Sequence, residues 1–465
     1  MAYLSNYNLN NILISSLPGT ISIFLSIVSI PIFLNYLDPD IYANYLVQHF
    51  ILSIGMFLNL NFGKVAAIKI QKIKISSAKK YIYSVFIFSF GSGLILSGLI
   101  YGLLFLFFSE KNFFDINFSL YIGLLITIIY VTAENITKSL GLFKYSSLAN
   151  FFFYSVSISF PALLIIYNND LFTGSNMFNI SLFFKLISLI FLLTTLHLKG
   201  MLIRHKKMTN IMEGFYKYGK WMTFSGIYNQ VFDYLDKYLI KIYLGASSMI
   251  TYSVPQLMAA KLTLLSQAII SVILPRLSKK DLSHNKKLQI LTANIYLFLY
   301  LVGLMLIALI PLIEIILELW LKDSYNIVSA NLFKIFILLT FISCISNILV
   351  CFYEANLIPK KNTRIETIML VPFLFGLLIS IYFKSIYAFA FVILIKEAIL
   401  LLIRVNFYKI FLWKYKILLF QITNFISVYL FSLFNMNEGT YFFIFIFILV
   451  MIFNFPSKII KKEFY

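Results

Sequence analysis

The sequence is poor in charged residues and in cysteine, and each shortage excludes a class of protein or site. Only 12% of its 465 residues are charged and 61% are hydrophobic, whereas soluble domains carry roughly a quarter charged residues. The two cysteines, Cys344 and Cys351, lie in one apolar segment, with a spacing far from that of zinc or redox sites. The composition therefore excludes an ordinary soluble protein, and the cysteines are expected to be packing residues.

Nucleotide-binding and catalytic motifs are also missing. The sequence has no Gly-x-x-x-x-Gly-Lys-[Ser/Thr] loop for ATP, no Gly-x-Ser-x-Gly nucleophile elbow and no His-Glu-x-x-His helix. We therefore predict a protein that is not an enzyme and that uses no cofactor or metal. Any transport must draw on an ion gradient, the membrane potential or a substrate gradient.

Long apolar runs fill the chain, and a run of ~20 residues crosses ~30 Å of hydrocarbon as a helix. They predict an all-α polytopic membrane protein with about fourteen transmembrane helices. No Lys or Arg precedes Lys64, so the sequence lacks the positive region of a cleavable signal peptide and the first run is expected to remain a span. The predicted spans are 11–35, 41–63, 82–108, 118–140, 149–167, 179–198, 221–244, 249–273, 290–313, 328–353, 367–384, 386–406, 417–434 and 440–457.

The basic residues that give a formal net charge of +20 are concentrated in alternate loops. The even-numbered loops and the C-terminal tail hold 29 Lys and Arg residues, whereas the odd-numbered loops hold only Lys111, Lys322 and Lys384. Because cytoplasmic loops retain positive charge during insertion, both termini are predicted to lie in the cytoplasm. This rule explains the basic loops without a nucleic-acid partner, and attraction to anionic membrane lipids adds to it. No loop exceeds about twenty residues, which leaves no room for a folded domain outside the bilayer.

A weak internal repeat predicts two related halves. Leu37 precedes Tyr45 by the same interval as Leu244 precedes Tyr252, and similar short stretches follow spans 4 and 10, offset by about 210 residues. The predicted organisation is an N-terminal six-helix bundle over 1–200, a cytoplasmic linker over 201–220, a C-terminal six-helix bundle over 221–410, and two additional transmembrane helices with a cytoplasmic tail over 411–465.

Charged residues inside spans are the candidates for function, because each costs ~2.5–3.5 kcal/mol at the bilayer centre unless it meets water or a partner. Lys261 and Lys396 fall near the middle of their spans and are expected to face a water-filled cavity. Lys185, Lys241 and Lys334 fall closer to span ends, where long side chains reach the interface. For these three we predict that snorkelling suffices.

Span 7 and span 4 carry the remaining charged candidates. Asp233, Lys237 and Lys241 recur every four residues and share one helical face, with Asp236 beside them. This pattern predicts either a polar wall of a cavity or an Asp-to-Lys ladder that neutralises itself. In span 4, Glu134 precedes Lys138 by four residues, which favours a structural pair on one helix. His49 in span 2 is interpreted as a hydrogen-bonded packing residue. The candidate substrate-binding residues are Lys261, Lys396, Lys237, Asp233, Asp236 and Glu134.

Several short stretches of the sequence fit one common pattern. The longest part lies at the seventh and eighth helices, in Asp236-Lys237, Leu244-Gly245, Tyr252-Ser253-Val254-Pro255 and Leu274-Pro275-Arg276-Leu277-Ser278. The first hairpin adds Pro31, Leu37 and Tyr45, and a later stretch adds Glu354-Ala355-Asn356-Leu357-Ile358-Pro359-Lys360. Together these stretches resemble the polysaccharide flippases of the O-antigen (Wzx) type, and the resemblance covers most of the chain.

This resemblance implies the fold of the multidrug and oligosaccharidyl-lipid exporter superfamily, with two six-helix bundles around a central cavity plus two C-terminal helices. It also implies an undecaprenyl-diphosphate-linked oligosaccharide as substrate, in O-antigen, capsule or lipopolysaccharide biosynthesis, with other polysaccharide-assembly membrane proteins as partners. A cationic cavity would be supplied by Lys261, Lys396 and Lys237. As a departure, no Arg is expected inside the spans, so the diphosphate would meet Lys point charges and not bidentate guanidinium groups.

Three other functions stay open. A drug or metabolite exporter of the same superfamily would favour acidic cavity residues, against which the lysines argue. A peptidoglycan lipid-precursor flippase would share the helix count and the cationic cavity. A membrane polysaccharide polymerase or glycosyltransferase is more remote, because it would need a large external loop. The acidic tripeptide Asp38-Pro39-Asp40 resembles a glycosyltransferase metal motif but occupies a loop of about six residues, where Pro39 favours a turn.

Overall fold

The computed structural model describes most of the chain between residues 21 and 407. The described ranges are 21–58 without 22, 23 and 26, then 62–70, 75–108, 118–167, 174–202, 219–263, single positions between 266 and 277, 283–309, 312–322, 325–355 and 359–407. The predicted spans 13 and 14 and the predicted segment 411–465 lie outside these residues, as do the first half of span 1 and most of the predicted linker.

The regular structure within these ranges is helical. Its helices are α1 (Ile27–Tyr36), α2 (Pro39–Leu58), α3 (Phe62–Ile70), α4 (Ile75–Phe108), α5 (Phe118–Ser139), α6 (Phe143–Asn150), a π-helical turn (Phe151–Val156), α7 (Ser157–Tyr167), α8 (Gly174–Leu198), α9 (Lys220–Leu244), α10 (Ala246–Ala260), α11 (His284–Leu309), α12 (Ile313–Leu321), α13 (Ile327–Ala355), α14 (Pro359–Phe383) and α15 (Ile386–Phe407). The all-α prediction is confirmed.

Seven helical stretches are long and apolar enough to cross a membrane, and they match predicted spans 3 to 6 and 10 to 12. The other described spans are also helical: α2, α9, α10 and α11 correspond to predicted spans 2, 7, 8 and 9. The chain is therefore a multi-pass membrane protein. The candidate membrane helices are Ser77–Leu106, Phe118–Ser139, Phe143–Tyr167, Asn176–Leu198, Ile327–Tyr353, Lys360–Phe383 and Ile386–Val405.

The chain divides into two compact units, Met1–Ile250 and Thr251–Tyr465. In the first, α5 is the central helix and packs against α2, α3, α4 and α8. Gly123 allows this close approach, because a Cβ atom there would lie 2.7 Å from side-chain atoms of Leu52 and Leu182. Helix α9 packs on α2 within this unit, although the sequence analysis assigned it to the second bundle. The predicted bundle boundaries stay a prediction.

In the second unit, α13 is the central helix. It packs against α15, α11, α12 and α14, and 83% of the residues in its most apolar stretch of 18 are buried. Both predicted packing cysteines, Cys344 and Cys351, are buried on this helix. A helix that is apolar on most of its circumference is typical of a bundle centre.

Local sequence explains the start of α2 and the end of α9. Asp38 precedes the first helical residue Pro39, and its Oδ1 accepts a hydrogen bond from the Asp40 N–H at 2.9 Å. This is an N-cap followed by a proline whose missing N–H costs nothing at that position, so the acidic tripeptide has a structural role here. Gly245 ends α9 with a φ of 91°, a conformation that favours glycine.

Candidate functional site

The predicted residue Lys237 lies at the contact of α9 with α2. Only 3% of the residue is exposed. Its ammonium group donates to the backbone carbonyl of Asp233 and lies 3.8 Å from Asp236 Oδ1. The ammonium also lies over the rings of Phe50 and Tyr234, at 5.3 and 4.8 Å from their centroids. Two aromatic faces and one carboxylate thus stabilise this buried cation.

Polar and aromatic contacts continue along the same two helices. The Lys241 ammonium donates to Asn44 Oδ1, and Ser53 Oγ donates to Gln230 Oε1 at 2.6 Å. Between these two contacts, the rings of Phe50 and Tyr234 stack at 4.7 Å. We call this set the α2–α9 seam: Asn44, Phe50 and Ser53 of α2 with Gln230, Tyr234, Lys237 and Lys241 of α9.

On α9, the structure brings Lys237 together with both neighbouring acids. The Lys237 ammonium donates to the main-chain carbonyl of Asp233, and the Asp233 residue is exposed. Asp236, by contrast, is fully buried and forms an ion pair with Lys237. The choice between a ladder and a polar wall stays a prediction.

Glu134 belongs to a separate cluster near the end of α5. Its Oε1 accepts hydrogen bonds from the Lys138 ammonium at 2.6 Å and from the Asn150 amide at 2.8 Å. The Asn150 carbonyl oxygen in turn accepts from the Tyr130 hydroxyl at 2.6 Å, and the Tyr130 ring stacks on Phe153 at 3.7 Å. The predicted pair of Glu134 with Lys138 is confirmed. The link to Asn150 and Tyr130 was missed because it joins residues of different helices.

Lys261 lies where α10 ends. The backbone N–H groups of Lys261 and Leu262 donate to carbonyls three residues earlier, at 3.1 and 3.0 Å, so the chain turns here instead of continuing the predicted span 8 as one regular helix. The side chain is partly exposed. A charged residue at a helix break inside a membrane helix is typical of ion and substrate sites in transporters, and the predicted binding role of Lys261 stays a prediction.

Lys396 lies in the middle of α15 and is 2% exposed. Its ammonium is 2.7 Å from Glu397 Oε1 and 5.7 Å from the ring centroid of Phe373 on α14. The sequence analysis selected the lysine but not the acid beside it. The pair gives no net charge, so a negatively charged substrate would have to replace Glu397 as the partner of Lys396.

A buried arginine was missed. Arg404 is 4% exposed and lies within the candidate membrane helix Ile386–Val405, which corrects the expectation that the spans contain no Arg. Its guanidinium donates to Asn362 Oδ1 at 3.2 Å, to Glu366 Oε1 at 3.1 Å and to Ser346 Oγ. Asn362 also donates to Glu366 at 2.8 Å. The network joins α13, α14 and α15, and Arg404 falls near the end of the predicted span 386–406.

Snorkelling does not describe Lys185 or Lys334. Helix α8 begins at Gly174, earlier than predicted, so Lys185 lies roughly 16 Å from the nearer helix end at ~1.5 Å per residue. It is 6% exposed. Lys334 is 4% exposed and pairs with Glu314 of α12 at 2.6 Å. Both lysines are therefore interior residues, and burial in protein replaces the predicted route to the headgroups.

The buried basic centres have the chemistry to hold an anion. Lys237, Lys334 and Lys396 each combine a buried ammonium with one carboxylate, and such a pair can exchange its acid for a phosphate oxygen of the same charge. Among the described residues, no group of three or more His, Cys, Asp or Glu side chains could hold a metal ion.

Comparison with solved structures gives the fold. A multidrug resistance MATE family transporter of the MOP superfamily, in its outward-facing conformation, superposes with a TM-score of 0.65 at 12% identity, covering 86% of this chain and 95% of the other. The chain has the fold of the MOP-superfamily transporters. The same fold relates it to the lipid II flippase MurJ, with a TM-score of 0.61 at 18% identity over 97% of this chain and 99% of that one. A MOP-superfamily transporter from Pyrococcus furiosus gives 0.62 at 12% identity, over 89% and 96%.

Sequence comparison adds one partial match to this MOP-superfamily fold. A Shigella flexneri protein named "Putative O-antigen transporter" is 28% identical over 158 residues. The match covers 34% of this chain and 37% of that protein, so the chain matches little more than a third of its relative's length. No family model matches. The resemblance found in the sequence motifs is thereby confirmed for the superfamily fold.

Proposed function

We propose that this protein is a flippase that moves a polyprenyl-diphosphate-linked oligosaccharide from the inner to the outer leaflet of a bacterial cytoplasmic membrane. The observation that carries the proposal is the match to the O-antigen transporter relative in a chain whose fold also relates it to a lipid II flippase. The product would feed O-antigen, capsule or similar surface polysaccharide, and the two termini would lie in the cytoplasm as the loop charges predict.

The chemistry of the substrate explains why buried lysines would be useful. A bare diphosphate cannot cross hydrocarbon, because transfer of an ionised group from water costs many kcal/mol. Lys237 and Lys396 supply positive charge inside the protein, and each is already balanced by one neighbouring carboxylate. In the proposed mechanism a phosphate oxygen takes the place of Asp236 or Glu397, so the lysine exchanges one anionic partner for another without standing unpaired in a low-dielectric site.

Translocation would follow alternating access. The diphosphate and sugars would occupy a hydrated cavity while the prenyl tail stays in lipid, and the predicted bundles would rock about the 201–220 linker. The α2–α9 seam would open and close in this cycle, since polar contacts and aromatic stacking can form and break with little net cost when water replaces them. Membrane lipids and other polysaccharide-assembly membrane proteins are the proposed partners.

The test is made in the source bacterium. Deletion of the gene should abolish surface polysaccharide and cause lipid-linked oligosaccharide to accumulate on the inner leaflet, and the wild-type gene should restore export. Lys261→Ala and Lys396→Ala should fail to restore it although the proteins reach the membrane in normal amounts. The exposed Lys80 gives the matched control, and Lys80→Ala should restore export fully. Normal surface polysaccharide in the deletion strain would contradict the proposal.

A peptidoglycan-precursor flippase is the second candidate, because the lipid II flippase aligns over nearly the whole of both chains. Expression of this chain in cells depleted of their own lipid II flippase separates the two. Rescue of growth would favour the peptidoglycan precursor as substrate, whereas failure of rescue together with restored polysaccharide in the deletion strain would favour the oligosaccharide.

A further inference from the structure

Lys185 differs from the other buried lysines in its charge balance. Lys237, Lys334 and Lys396 each pair with a carboxylate, but among the ion pairs of the described residues none includes Lys185. Its ammonium lies 5.1 Å from the ring centroid of Phe153. The residue is 6% exposed in the middle of α8, so neither bulk water nor a described acid balances a positive charge there.

A second base lies beside it. His49 of α2 approaches Ser181 with its Nε2 atom 3.3 Å from the hydroxyl oxygen, and Ser181 is one helical turn before Lys185 on the same face of α8. The His49 ring packs edge-on against Tyr45 at 4.5 Å and Phe178 at 5.8 Å. Ser181 therefore links the position of His49 to that of Lys185, one turn further along α8. The two bases therefore share one aromatic compartment of the N-terminal unit.

The titratable groups on the packed neighbours do not supply the missing negative charge. On α2 these groups are Asp40, Tyr42, Tyr45 and His49, and Asp40 is exposed in the first turn of the helix. On α5, Tyr130 stacks on the far side of Phe153, and Glu134 is held by Lys138 and Asn150. On the π-helical turn, Tyr154 packs against Phe153 at 4.9 Å. Tyrosines are neutral near pH 7, so the compartment combines two bases with no free carboxylate among its described neighbours.

Protonation of Lys185 and His49 at the same time is energetically unfavourable in this compartment. An unbalanced charge buried in protein costs several kcal/mol, and two adjacent cations repel each other in a medium of low dielectric. One proton, or none, is the favoured occupancy while the compartment is closed. Entry of water lowers the cost of charge, so opening the compartment favours proton uptake and closing it favours release.

We propose that Lys185 and His49 form a proton-binding centre within the N-terminal unit, whose occupancy changes as the protein changes conformation. The centre stands on its own as a titrating site. Its use as the coupling device of transport rests on the function proposed above, and a proton gradient would then supply the energy that the absence of an ATP-binding loop requires from another source.

Histidine NMR tests the centre without any transport substrate. The chain contains only four histidines, so 15N-imidazole signals of the full-length protein in lipid nanodiscs can be assigned with His49→Gln. In a titration from pH 5 to 10, the His49 signal should report a proton-binding event that disappears in Lys185→Met. Lys80→Met is the matched control and should leave that event unchanged. A His49 signal that responds identically in wild type and Lys185→Met would overturn the proposal.

Transport then tests the coupling role. If the proton on Lys185 must come and go, Lys185→Arg, which stays charged, and Lys185→Met, which stays neutral, should both lose at least tenfold in export at normal membrane levels. Export retained in Lys185→Arg would mean a fixed cation, and export retained in Lys185→Met would mean a packing residue; either result overturns the role. His49→Gln removes the second proton acceptor of the compartment and should change the pH profile of export, because Lys185 then no longer shares the compartment with another base. An unchanged pH profile in that variant would also overturn it.

These two experiments fail separately. If the wild-type protein shows no such NMR event while export is normal, the proton-binding centre is excluded and the flippase function stands. A confirmed NMR event in a protein whose deletion leaves surface polysaccharide normal would retain the centre and remove the proposed substrate.

Discussion

The Arg404 guanidinium and the Glu366 carboxylate meet at 3.1 Å inside the C-terminal unit, where their side chains are 5% and 1% exposed. They come from α15 and α14, and Asn362 and Ser346 complete the contacts of the guanidinium. A planar donor of this kind can hold several acceptors at fixed angles. Because the partners lie on three helices, the relationship fixes how α13, α14 and α15 pack.

Removing one member of this pair should destabilise the protein strongly. Arg404→Met leaves the Glu366 carboxylate buried without its cation, which typically costs about 3–5 kcal/mol. Thermal unfolding of the purified protein in detergent should show a clear decrease in Tm. Arg364 of α14 is exposed, so Arg364→Met is the control and should change Tm little. The double variant Arg404→Met with Glu366→Leu should recover part of the loss, and an equal Tm for wild type and Arg404→Met would contradict the structural role.

In the Glu134 cluster, substitution of the buried carboxylate should lower stability more than substitution of the exposed Lys138. Glu134→Ala removes the acceptor of the half-buried Asn150 amide, and a fully buried polar group left without a partner costs about 1–3 kcal/mol. Lys138 is 45% exposed, and an exposed ion pair contributes ~0–1 kcal/mol. The loss in the free energy of unfolding should therefore be larger in Glu134→Ala than in Lys138→Ala. Equal losses would mean that the contact of Glu134 with Asn150 contributes nothing beyond the ion pair.

Lys396 and Glu397 should have different effects on export although they form one ion pair. If Lys396 receives a phosphate, Lys396→Met removes the binding charge and should reduce export at least tenfold. Glu397→Gln leaves the buried Lys396 without its acid and should lower stability, but it keeps a hydrogen-bond acceptor near the ammonium and should retain export at matched membrane levels. Both variants are compared in the deletion strain after their membrane levels have been matched. An equal loss in the two would indicate a structural pair and remove Lys396 from the proposed site.

A cross-link across the α2–α9 seam should stop transport. Ser53 and Gln230 are within hydrogen-bonding distance, so Ser53→Cys with Gln230→Cys should form a covalent bridge in membranes treated with a short thiol-reactive cross-linker, after Cys344 and Cys351 have been replaced by Ala. Export should fall when the bridge forms and return where the linker is cleaved. Each single-cysteine variant treated in the same way is the control. Undiminished export in the bridged protein would show that α2 and α9 need not separate.

The sequence by itself determined the membrane class and the helical fold. Apolar runs of the length of the bilayer leave no other regular structure able to satisfy every backbone hydrogen bond in lipid, and seven of the predicted spans coincide with candidate membrane helices. The local pair of Glu134 and Lys138 could also be predicted, because residues four apart on a helix are neighbours whatever surrounds them.

Only the tertiary structure decided which charges are balanced and by what. Lys334 pairs with Glu314, which is 20 positions away, and Arg404 binds three residues from two other helices. Lys185 and His49 lie on neighbouring turns of one compartment only because α2 and α8 pack side by side, which brings His49 against Ser181. A single sequence gives the depth of a charge along its own helix, but its burial and its partner depend on how the neighbouring helices are rotated, and that rotation is set by packing across the whole bundle.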